Sequence, residues 1–125
     1  MEDLRFSEDH VWVRLDDEGI ATCGITDYAQ AELGDIVFVE LPSVGADILQ
    51  GEEIAVIESV KTASEVKMPL TGTIVSVNTL LTEAPEKINE SPLEDGWIFR
   101  CEVAGDDQYN ELMDADAYQE FVGSL

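Results

Sequence analysis

The sequence predicts a mainly β fold, and three features indicate it. Short runs in which apolar and polar residues alternate recur along the chain, as expected for strands with one buried face. Gly, Pro, Asp and Asn separate these runs and are typical of turns between strands. Hydrophobic residues make up 45% of the 125 residues, which is enough for a core. We therefore expect one strand-rich domain that spans residues 1–125.

The first predicted elements are a β-hairpin and a short helix. Residues 11–15 and 20–25 each alternate, and the turn residues between them predict a hairpin. Residues 26–34 break the alternation, and Asp27 and Gln30 are spaced as in a capping box. We predict one or two helical turns there, ended by a glycine in the C′ position.

The rest of the chain predicts more strands and a helical tail. The strand-like segments are residues 36–41, 53–58, 64–69, 73–77 and 97–103. The polar segment 78–96 predicts short helical turns and loop. In the tail, apolar side chains recur at helical spacing, first in Tyr109, Leu112 and Met113 and then in Tyr118, Phe121 and Val122.

The charge of the chain excludes several functions. Six Lys and Arg residues stand against 28 Asp and Glu residues, so the formal net charge is −22. Nucleic-acid phosphates and anionic membranes repel such a chain, and we expect neither as a partner. The sequence has no secretory signal and no apolar stretch near the roughly 18 residues that span a bilayer. Cys23 and Cys101 predict reduced thiols within strands, in a reducing compartment such as the cytoplasm.

The titratable residues give little support for a self-sufficient enzyme. His10 is the only histidine, and the sequence places no nucleophile for which it would act as a base. We expect His10 to be a structural or cleft-lining residue next to Trp12. One histidine excludes histidine-rich metal sites, and no carboxylate spacing matches a calcium loop, so we expect no metal.

Lysines are rare in this chain, and one of the three is conspicuous. Lys61 falls in the connection between two predicted strands, whereas Lys67 lies within a strand and Lys87 in a polar segment. An amine at a hairpin tip is exposed, and rigid flanking strands hold it in a reproducible place for acylation by another protein. The same position also fits an ordinary solvated turn lysine.

The sequence around Lys61 favours the first interpretation. The segment 58–64, Glu-Ser-Val-Lys-Thr-Ala-Ser, resembles the attachment site of the glycine cleavage H-protein family, whose lysine carries lipoyl in amide linkage. Gly45 lies 16 residues before Lys61, and Gly72 lies 11 residues after it. Glycines at these places resemble the turn glycines that frame the modified hairpin in lipoyl and biotinyl carriers. Further resembling segments are 24–30, 33–42, 44–45, 77–78, 88–89, 96–97 and 112–115, with Pro85, Pro92, Tyr118 and Phe121.

Several site residues are implied by this resemblance. Glu58 and Ser59 flank Lys61 as recognition positions, and Glu65 and His10 would line a cleft that shelters the loaded arm. The family's usual His-Glu-Trp is replaced by His10-Val11-Trp12, so a cleft glutamate is absent. A Tyr position of the family is likewise occupied by Leu93.

The motif Val66-Lys67-Met68 superficially resembles the attachment motif of biotin carriers, which is Met-Lys-Met. Gly72 is only five residues past Lys67, which is the wrong interval, so we predict that Lys67 is a strand residue facing solvent. Lys87 lies in the polar stretch 85–92, and we predict that it is a surface lysine.

The resemblance implies a lipoyl/biotinyl hammerhead-type fold, that is, a flattened barrel or sandwich with short helices at the flanks and C terminus. It also implies a monomeric, non-catalytic carrier with lipoate covalently bound at Lys61. Its partners would be a pyridoxal-phosphate glycine decarboxylase, a tetrahydrofolate-dependent aminomethyltransferase and dihydrolipoyl dehydrogenase. A lipoate ligase or a lipoyl/octanoyl transferase would attach the group, in the cytoplasm or, in a eukaryote, the mitochondrial matrix.

Two other functions stay open at this point. The protein could relay lipoyl for protein lipoylation or serve another lipoate-dependent complex, although the tip lacks the Asp-Lys-Ala of generic lipoyl domains. It could also be an unmodified acidic interaction module. The charge of −22 fits either steering towards basic partner surfaces or adaptation to a high-salt cytoplasm.

Overall fold

The computed structural model describes residues 4–103 and 105–125. In these residues the elements are β1 (Leu4–Phe6), β2 (Val11–Leu15), β3 (Ile20–Ile25), α1 (Asp27–Leu33), β4 (Ile36–Glu40), β5 (Asp47–Ile48), β6 (Glu53–Ser59), β7 (Ala63–Lys67), β8 (Gly72–Val77), α2 (Leu80–Glu83), α3 (Lys87–Glu90), β9 (Phe99–Glu102), α4 (Asp107–Glu111) and α5 (Ala115–Gly123). The predicted strands are all present, and β1 and β5 are additional because strands of three and two residues are too short for a visible alternation.

The strands form two antiparallel sheets. One sheet has six strands in the order β1-β2-β3-β9-β8-β5, and the other has three in the order β4-β6-β7. The sheets do not close into a barrel, so the sandwich is the correct one of the two predicted forms. Both sheets contribute to one core, to which Val13 and Cys23 come from the larger sheet and Ile57 and Val66 from the smaller one.

Strand β2 is covered on both faces, which its alternating pattern does not predict. Val11, Trp12 and Val13 are all fully buried. Val11 and Val13 face the main core, whereas Trp12 packs with Phe6 and Tyr118 in a second cluster. Tyr118 belongs to α5, so the C-terminal helix covers the face of β2 that an isolated hairpin would leave open.

Helix α1 begins one residue earlier than the predicted capping box places it. The N-cap is Thr26, whose side-chain oxygen accepts a hydrogen bond from the Ala29 amide, as N-cap side chains do. Asp27 instead accepts a bond from the side chain of Gln30. The predicted C-terminal glycine is confirmed, because Gly34 ends the helix with a φ of 81°.

Of the two helical stretches predicted in the tail, one is correct and the other extends too far. Helix α5 carries Tyr118, Phe121 and Val122 as predicted. Helix α4 stops at Glu111, so the predicted helical continuation through Met113 is wrong. Met113 is extended instead because its backbone exchanges two hydrogen bonds with Phe6, at 2.8 and 3.0 Å. None of the helices in the described part of the chain is long and apolar enough to cross a membrane.

The two cysteines lie on strands and are buried, as predicted. Cys23 is in β3 and Cys101 in the neighbouring β9, and both side chains are fully buried. Burial raises the pKa of the Cys23 thiol well above its ordinary value, and a hydrogen bond with Cys101 raises it further. The Cys23 thiol is therefore protonated and a poor nucleophile, and Cys101 is a buried core residue beside it.

Candidate functional site

Lys61 lies at the tip of the hairpin between β6 and β7. The Ser59 hydroxyl oxygen accepts hydrogen bonds from the backbone amides of Lys61 and Thr62, at 3.2 and 3.1 Å. The Ser59 amide donates to the Thr62 carbonyl at 2.8 Å, and the Val60 amide donates to the Asp35 carbonyl at 3.0 Å. These bonds fix the tip to its own strands and to the start of β4, so Ser59 has a turn-building function at this site.

The aliphatic chain of Lys61 lies against Gly34, at the C-terminal end of α1. A Cβ atom at Gly34 would be 3.1 Å from Lys61 Cε and 3.7 Å from Nζ. The amine therefore lies close to the C-terminal end of α1. Gly34 thus ends the helix and also leaves room for the lysine.

Within the described residues, Lys61 differs from the other two lysines because its amine forms no ion pair. Lys67 Nζ lies 3.5 Å from Glu53 and 3.7 Å from Glu65, and Lys87 Nζ lies 3.2 Å from Glu90. Glu90 raises the pKa of Lys87. Within the described residues, Lys61 Nζ has no carboxylate oxygen within 4.0 Å. Lys61 is therefore the amine that a modifying enzyme can engage without first breaking an ion pair.

A cavity of about 290 Å³ lies between α1 and strands β2, β6 and β7. Its floor is apolar, and Val11, Leu33 and Ile57 contribute to it. Leu33 directly precedes Gly34, so the cavity begins one residue from the place where Lys61 rests. A flexible apolar chain attached to Lys61 can fold into such a cavity and remove its surface from water.

Polar groups line the rim of the cavity, among them two predicted site residues, His10 and Glu65. Tyr28 and Glu32 also line it, and the sequence analysis missed both. Their spacing of four residues on α1 was a usable signal, because residues i and i+4 share one helix face. Val11 is fully buried in this wall, so an aliphatic side chain occupies the position of the family's glutamate.

His10 is held firmly against the C-terminal helix. Its Nδ1 atom is hydrogen-bonded to the Tyr118 hydroxyl at 2.8 Å, and that hydroxyl is 2.7 Å from Thr26 Oγ1. Its ring centroid is 4.8 Å from that of Tyr28. His10 also has a φ of 65°, which is uncommon for a residue other than glycine. Burial lowers the pKa of His10, and the charges of Asp9 and Glu32 partly oppose this, so the neutral ring is favoured at neutral pH.

Tyr118 is the functional residue that no local signal identifies. It lies 108 residues from His10 in the sequence, and its helical spacing predicts only a packing role. The fold brings its hydroxyl to His10, which lines the cavity, because α5 packs over β2.

The two predicted glutamates near Lys61 lie in different surroundings. A hydrogen bond with Glu53 and the charge of Glu53 raise the pKa of Glu65. The same hydrogen bond lowers the pKa of Glu53. Glu58 is exposed and pairs across the strands with Phe38, away from the cavity. The structure therefore places His10 and Glu65 at the cavity, Lys61 against the neighbouring Gly34 and Ser59 in the turn, and leaves Glu58 on the outer surface.

Comparisons with known proteins agree with this arrangement. The family model of the glycine cleavage H-protein matches residues 4–124. The glycine cleavage system H protein of Rhodospirillum rubrum is 53% identical over 125 residues, which cover 100% of this chain and 99% of that protein. The same-named protein of Parvibaculum lavamentivorans is 52% identical over 125 residues, with the same coverage.

A solved structure supports the same relationship. The crystal structure of a glycine cleavage system H protein from Mycobacterium marinum has a TM-score of 0.84 and 34% identity, over 99% of this chain and 97% of that one. This likeness confirms the mainly β fold predicted from the sequence. Since the family model covers nearly the whole chain and both relatives match it at more than half of their positions, the chain belongs to the glycine cleavage H-protein family.

Proposed function

We propose that this protein is the lipoyl carrier of a glycine cleavage system, with lipoate attached to Lys61 through an amide bond. The observation that carries the proposal is the position of Lys61, an exposed lysine without an ion-pair partner among the described residues, on a fixed hairpin beside an apolar cavity. The family membership of the chain supports the same function.

The residues present fit a lipoyl group. The Lys61 amine supplies the attachment point, and the floor of the neighbouring cavity offers apolar contact for the chain. When bound, the lipoyl group would supply a disulfide that accepts the aminomethyl group from glycine, and it would be left as a dithiol only after that group has passed to tetrahydrofolate. The protein itself contributes position, shelter and exclusion of water rather than catalysis.

The hairpin does most of the positioning. The Ser59 turn and the Val60–Asp35 bond keep the attachment point at one place on the surface. A group tethered at a fixed point samples a small volume and meets each partner's active site at high effective concentration. His10 and Glu65, together with Tyr28, line the cavity and would offer polar contacts to the loaded arm.

The partners follow from the proposed reaction. They are glycine decarboxylase, aminomethyltransferase and dihydrolipoyl dehydrogenase, with a lipoate ligase or a lipoyl/octanoyl transferase for attachment. The carrier is a monomer of one domain, residues 1–125, and works in the cytoplasm. Neither nucleic acid nor membrane takes part, in keeping with the charge of −22.

Mass spectrometry tests the attachment. The protein is produced in cells supplied with lipoate, its intact mass is measured, and the modified residue is located by peptide mapping. We expect one lipoyl group on Lys61, none in Lys61→Arg and full modification in the control Lys67→Arg. An unmodified chain in cells that lipoylate other proteins would overturn the proposal and favour an acidic interaction module.

A second assay separates the glycine system from a relay function. The lipoylated protein is mixed with glycine decarboxylase, and the exchange of labelled bicarbonate into glycine is measured. We expect exchange that depends on Lys61. Lipoyl transfer to other proteins without glycine exchange would instead establish the relay.

A further inference from the structure

The two ring nitrogens of His10 lie in different surroundings. Nδ1 is hydrogen-bonded to the Tyr118 hydroxyl of α5 at 2.8 Å. Nε2 has no hydrogen-bond partner among the described residues, and it is not buried. Because His10 lines the cavity, Nε2 is the ring nitrogen that a group entering the cavity can meet.

The His10 ring is held in place by its backbone and by two neighbouring rings. The Thr26 amide donates to the His10 carbonyl at 3.0 Å, and the His10 amide donates to the Ser7 carbonyl at 3.1 Å. The ring centroids of Tyr28 and Phe121 lie 4.8 and 5.8 Å from that of His10. The hydrogen-bonding character of Nε2 therefore depends on which ring nitrogen carries the proton rather than on rotation of the ring.

The Tyr118 hydroxyl continues to a second hydroxyl. It lies 2.7 Å from Thr26 Oγ1, and that oxygen already accepts a hydrogen bond from the Ala29 amide. Each hydroxyl has one proton to donate and can also accept. The hydrogen-bonded chain from Thr26 through Tyr118 to His10 therefore has two complete orientations, and we call it the hydroxyl chain.

The two orientations give Nε2 opposite characters. In the first, Thr26 donates to Tyr118 and Tyr118 donates to Nδ1, so the ring proton is on Nε2, which is a donor. In the second, Nδ1 donates to Tyr118 and Tyr118 donates to Thr26, so Nε2 is an acceptor. Interconversion rotates two hydroxyl groups and exchanges one ring proton with water, and no member of the hydroxyl chain loses its partner.

The charges around His10 leave its ring neutral, which both orientations require. Burial lowers the pKa of His10, and the charges of Asp9 before β2 and Glu32 on α1 partly oppose this. Burial also raises the pKa values of the two nearby tyrosines, so their hydroxyls stay protonated. The other titratable side chains around the ring are Glu65 on β7, Tyr28 on α1 and Tyr118 on α5.

We propose that Tyr118 is a positioning residue, whose hydroxyl reverses direction with that of Thr26 so that His10 offers the cavity either a donor or an acceptor. This inference rests on the proposed function for the identity of the group in the cavity. A disulfide only accepts hydrogen bonds, whereas the thiols of a dithiol also donate them. A side chain of fixed polarity would suit one form of the arm and mismatch the other.

NMR of the ring nitrogens tests the hydroxyl chain in the unmodified full-length protein. His10 is the only histidine, so the ring-nitrogen signals of an isotope-labelled sample belong to it alone, and their chemical shifts give the ratio of the two tautomers. Tyr118→Phe is compared with Tyr28→Phe. Each variant removes one hydroxyl from a ring close to His10, but only the Tyr118 hydroxyl is hydrogen-bonded to the histidine. Thermal unfolding checks that both are folded.

We expect Tyr118→Phe to shift the tautomer ratio about tenfold towards the form with the proton on Nε2, because an Nδ1 proton facing a phenyl ring has no acceptor. Tyr28→Phe should leave the ratio as in wild type. Equal ratios in wild type and Tyr118→Phe, or equal shifts in the two variants, would overturn the hydroxyl chain.

The lipoylated wild type gives a second measurement that needs no variant. Spectra are recorded with the lipoyl disulfide oxidised and after its reduction by a phosphine, which leaves the free thiols Cys23 and Cys101 unchanged. We expect reduction to shift the ratio towards the form with the proton on Nδ1, whose Nε2 accepts from a thiol. Lipoylated Tyr118→Phe should not respond.

The possible failures are distinguishable. A wild-type chain that stays unmodified at Lys61 in lipoate-supplied cells would overturn the proposed function, and the tautomer ratios of the unmodified variants would still decide whether the hydroxyl chain exists. Normal lipoylation with the same wild-type ratio before and after reduction would overturn the positioning role of Tyr118 and leave the proposed function standing.

Discussion

Lys61 and Gly34 are matched so closely that a methyl group on Gly34 would come within 3.1 Å of Lys61 Cε. The glycine that terminates α1 is therefore also the surface on which the attachment lysine rests. Gly34 thus ends the backbone of α1 and also makes room for the Lys61 side chain. Comparison with a glycine that has positive φ but no such neighbour separates the two functions.

Gly34→Ala should move the lysine, and Gly51→Ala should not. Both glycines have positive φ, 81° and 89°, but a Cβ on Gly51 meets nothing within 4 Å. We expect each variant to lose about 1 to 3 kcal/mol of unfolding free energy from backbone strain. Only Gly34→Ala should shift the Lys61 Cε resonance in NMR spectra. Equal shifts in both variants would contradict the contact.

Thr26→Ala should destabilise the protein more than Asp27→Ala. The Thr26 oxygen caps α1 and is also hydrogen-bonded to the buried Tyr118 hydroxyl, whereas Asp27 is exposed and accepts a hydrogen bond from the Gln30 side chain. We expect a loss of about 1 to 2 kcal/mol for Thr26→Ala and a few tenths for Asp27→Ala. Urea unfolding of both variants measures the two losses of unfolding free energy. Equal losses would contradict the assignment of Thr26 as the residue that caps α1.

The pH dependence of stability should report the buried environment of His10. Burial lowers the pKa of His10 from 6.5 in the folded state, so the unfolded chain binds the proton more readily. The contribution of neutral His10 is therefore present above pH 6.5 and is lost as the pH falls through the lowered folded-state pKa.

A variant that cannot titrate isolates this contribution. Asn tolerates positive φ, so His10→Asn keeps the backbone while removing the titrating ring. The difference in unfolding free energy between wild type and His10→Asn should be larger at about pH 7.5 than at about pH 5. A difference that grows towards acid pH would show that the folded state raises the pKa instead.

The net charge should make the proposed association with an aminomethyltransferase sensitive to salt. A charge of −22 is attracted to a basic surface, and added ions screen that attraction. We expect the association rate, measured by stopped flow, to fall several-fold from about 50 mM to about 300 mM NaCl. A flat dependence would favour adaptation to a high-salt cytoplasm as the origin of the charge.

Local pattern predicts those parts of the fold that depend on neighbouring residues. The hairpin of β2 and β3 and the strands around Lys61 follow from alternation, because their inner faces are buried in one core. The end of α4 does not follow, since Met113 leaves the helix to pair with Phe6, more than a hundred residues away. Tertiary pairing outweighs helical spacing there.

The candidate site likewise has a part that the local sequence predicts and a part that depends on how distant elements pack. Lys61 and Ser59 form one continuous motif and are visible in the sequence. The cavity is not, because its wall is assembled from β2, α1 and β7, and its position depends on how those elements pack. The link from His10 to Tyr118 joins the two ends of the chain, so no sequence spacing could indicate it.

The ion pairs of Lys67 and Lys87 have a consequence for chemical selectivity. Among the side-chain amines of the described residues, Lys61 alone is left without a carboxylate, so a small electrophile such as an acetylating reagent should reach it first. Under the proposed function, the fold thus selects the position of modification but not its identity. Discrimination between lipoate and an unwanted acyl group must then be made by the attaching enzyme, and accidental acylation at this single amine would inactivate the carrier.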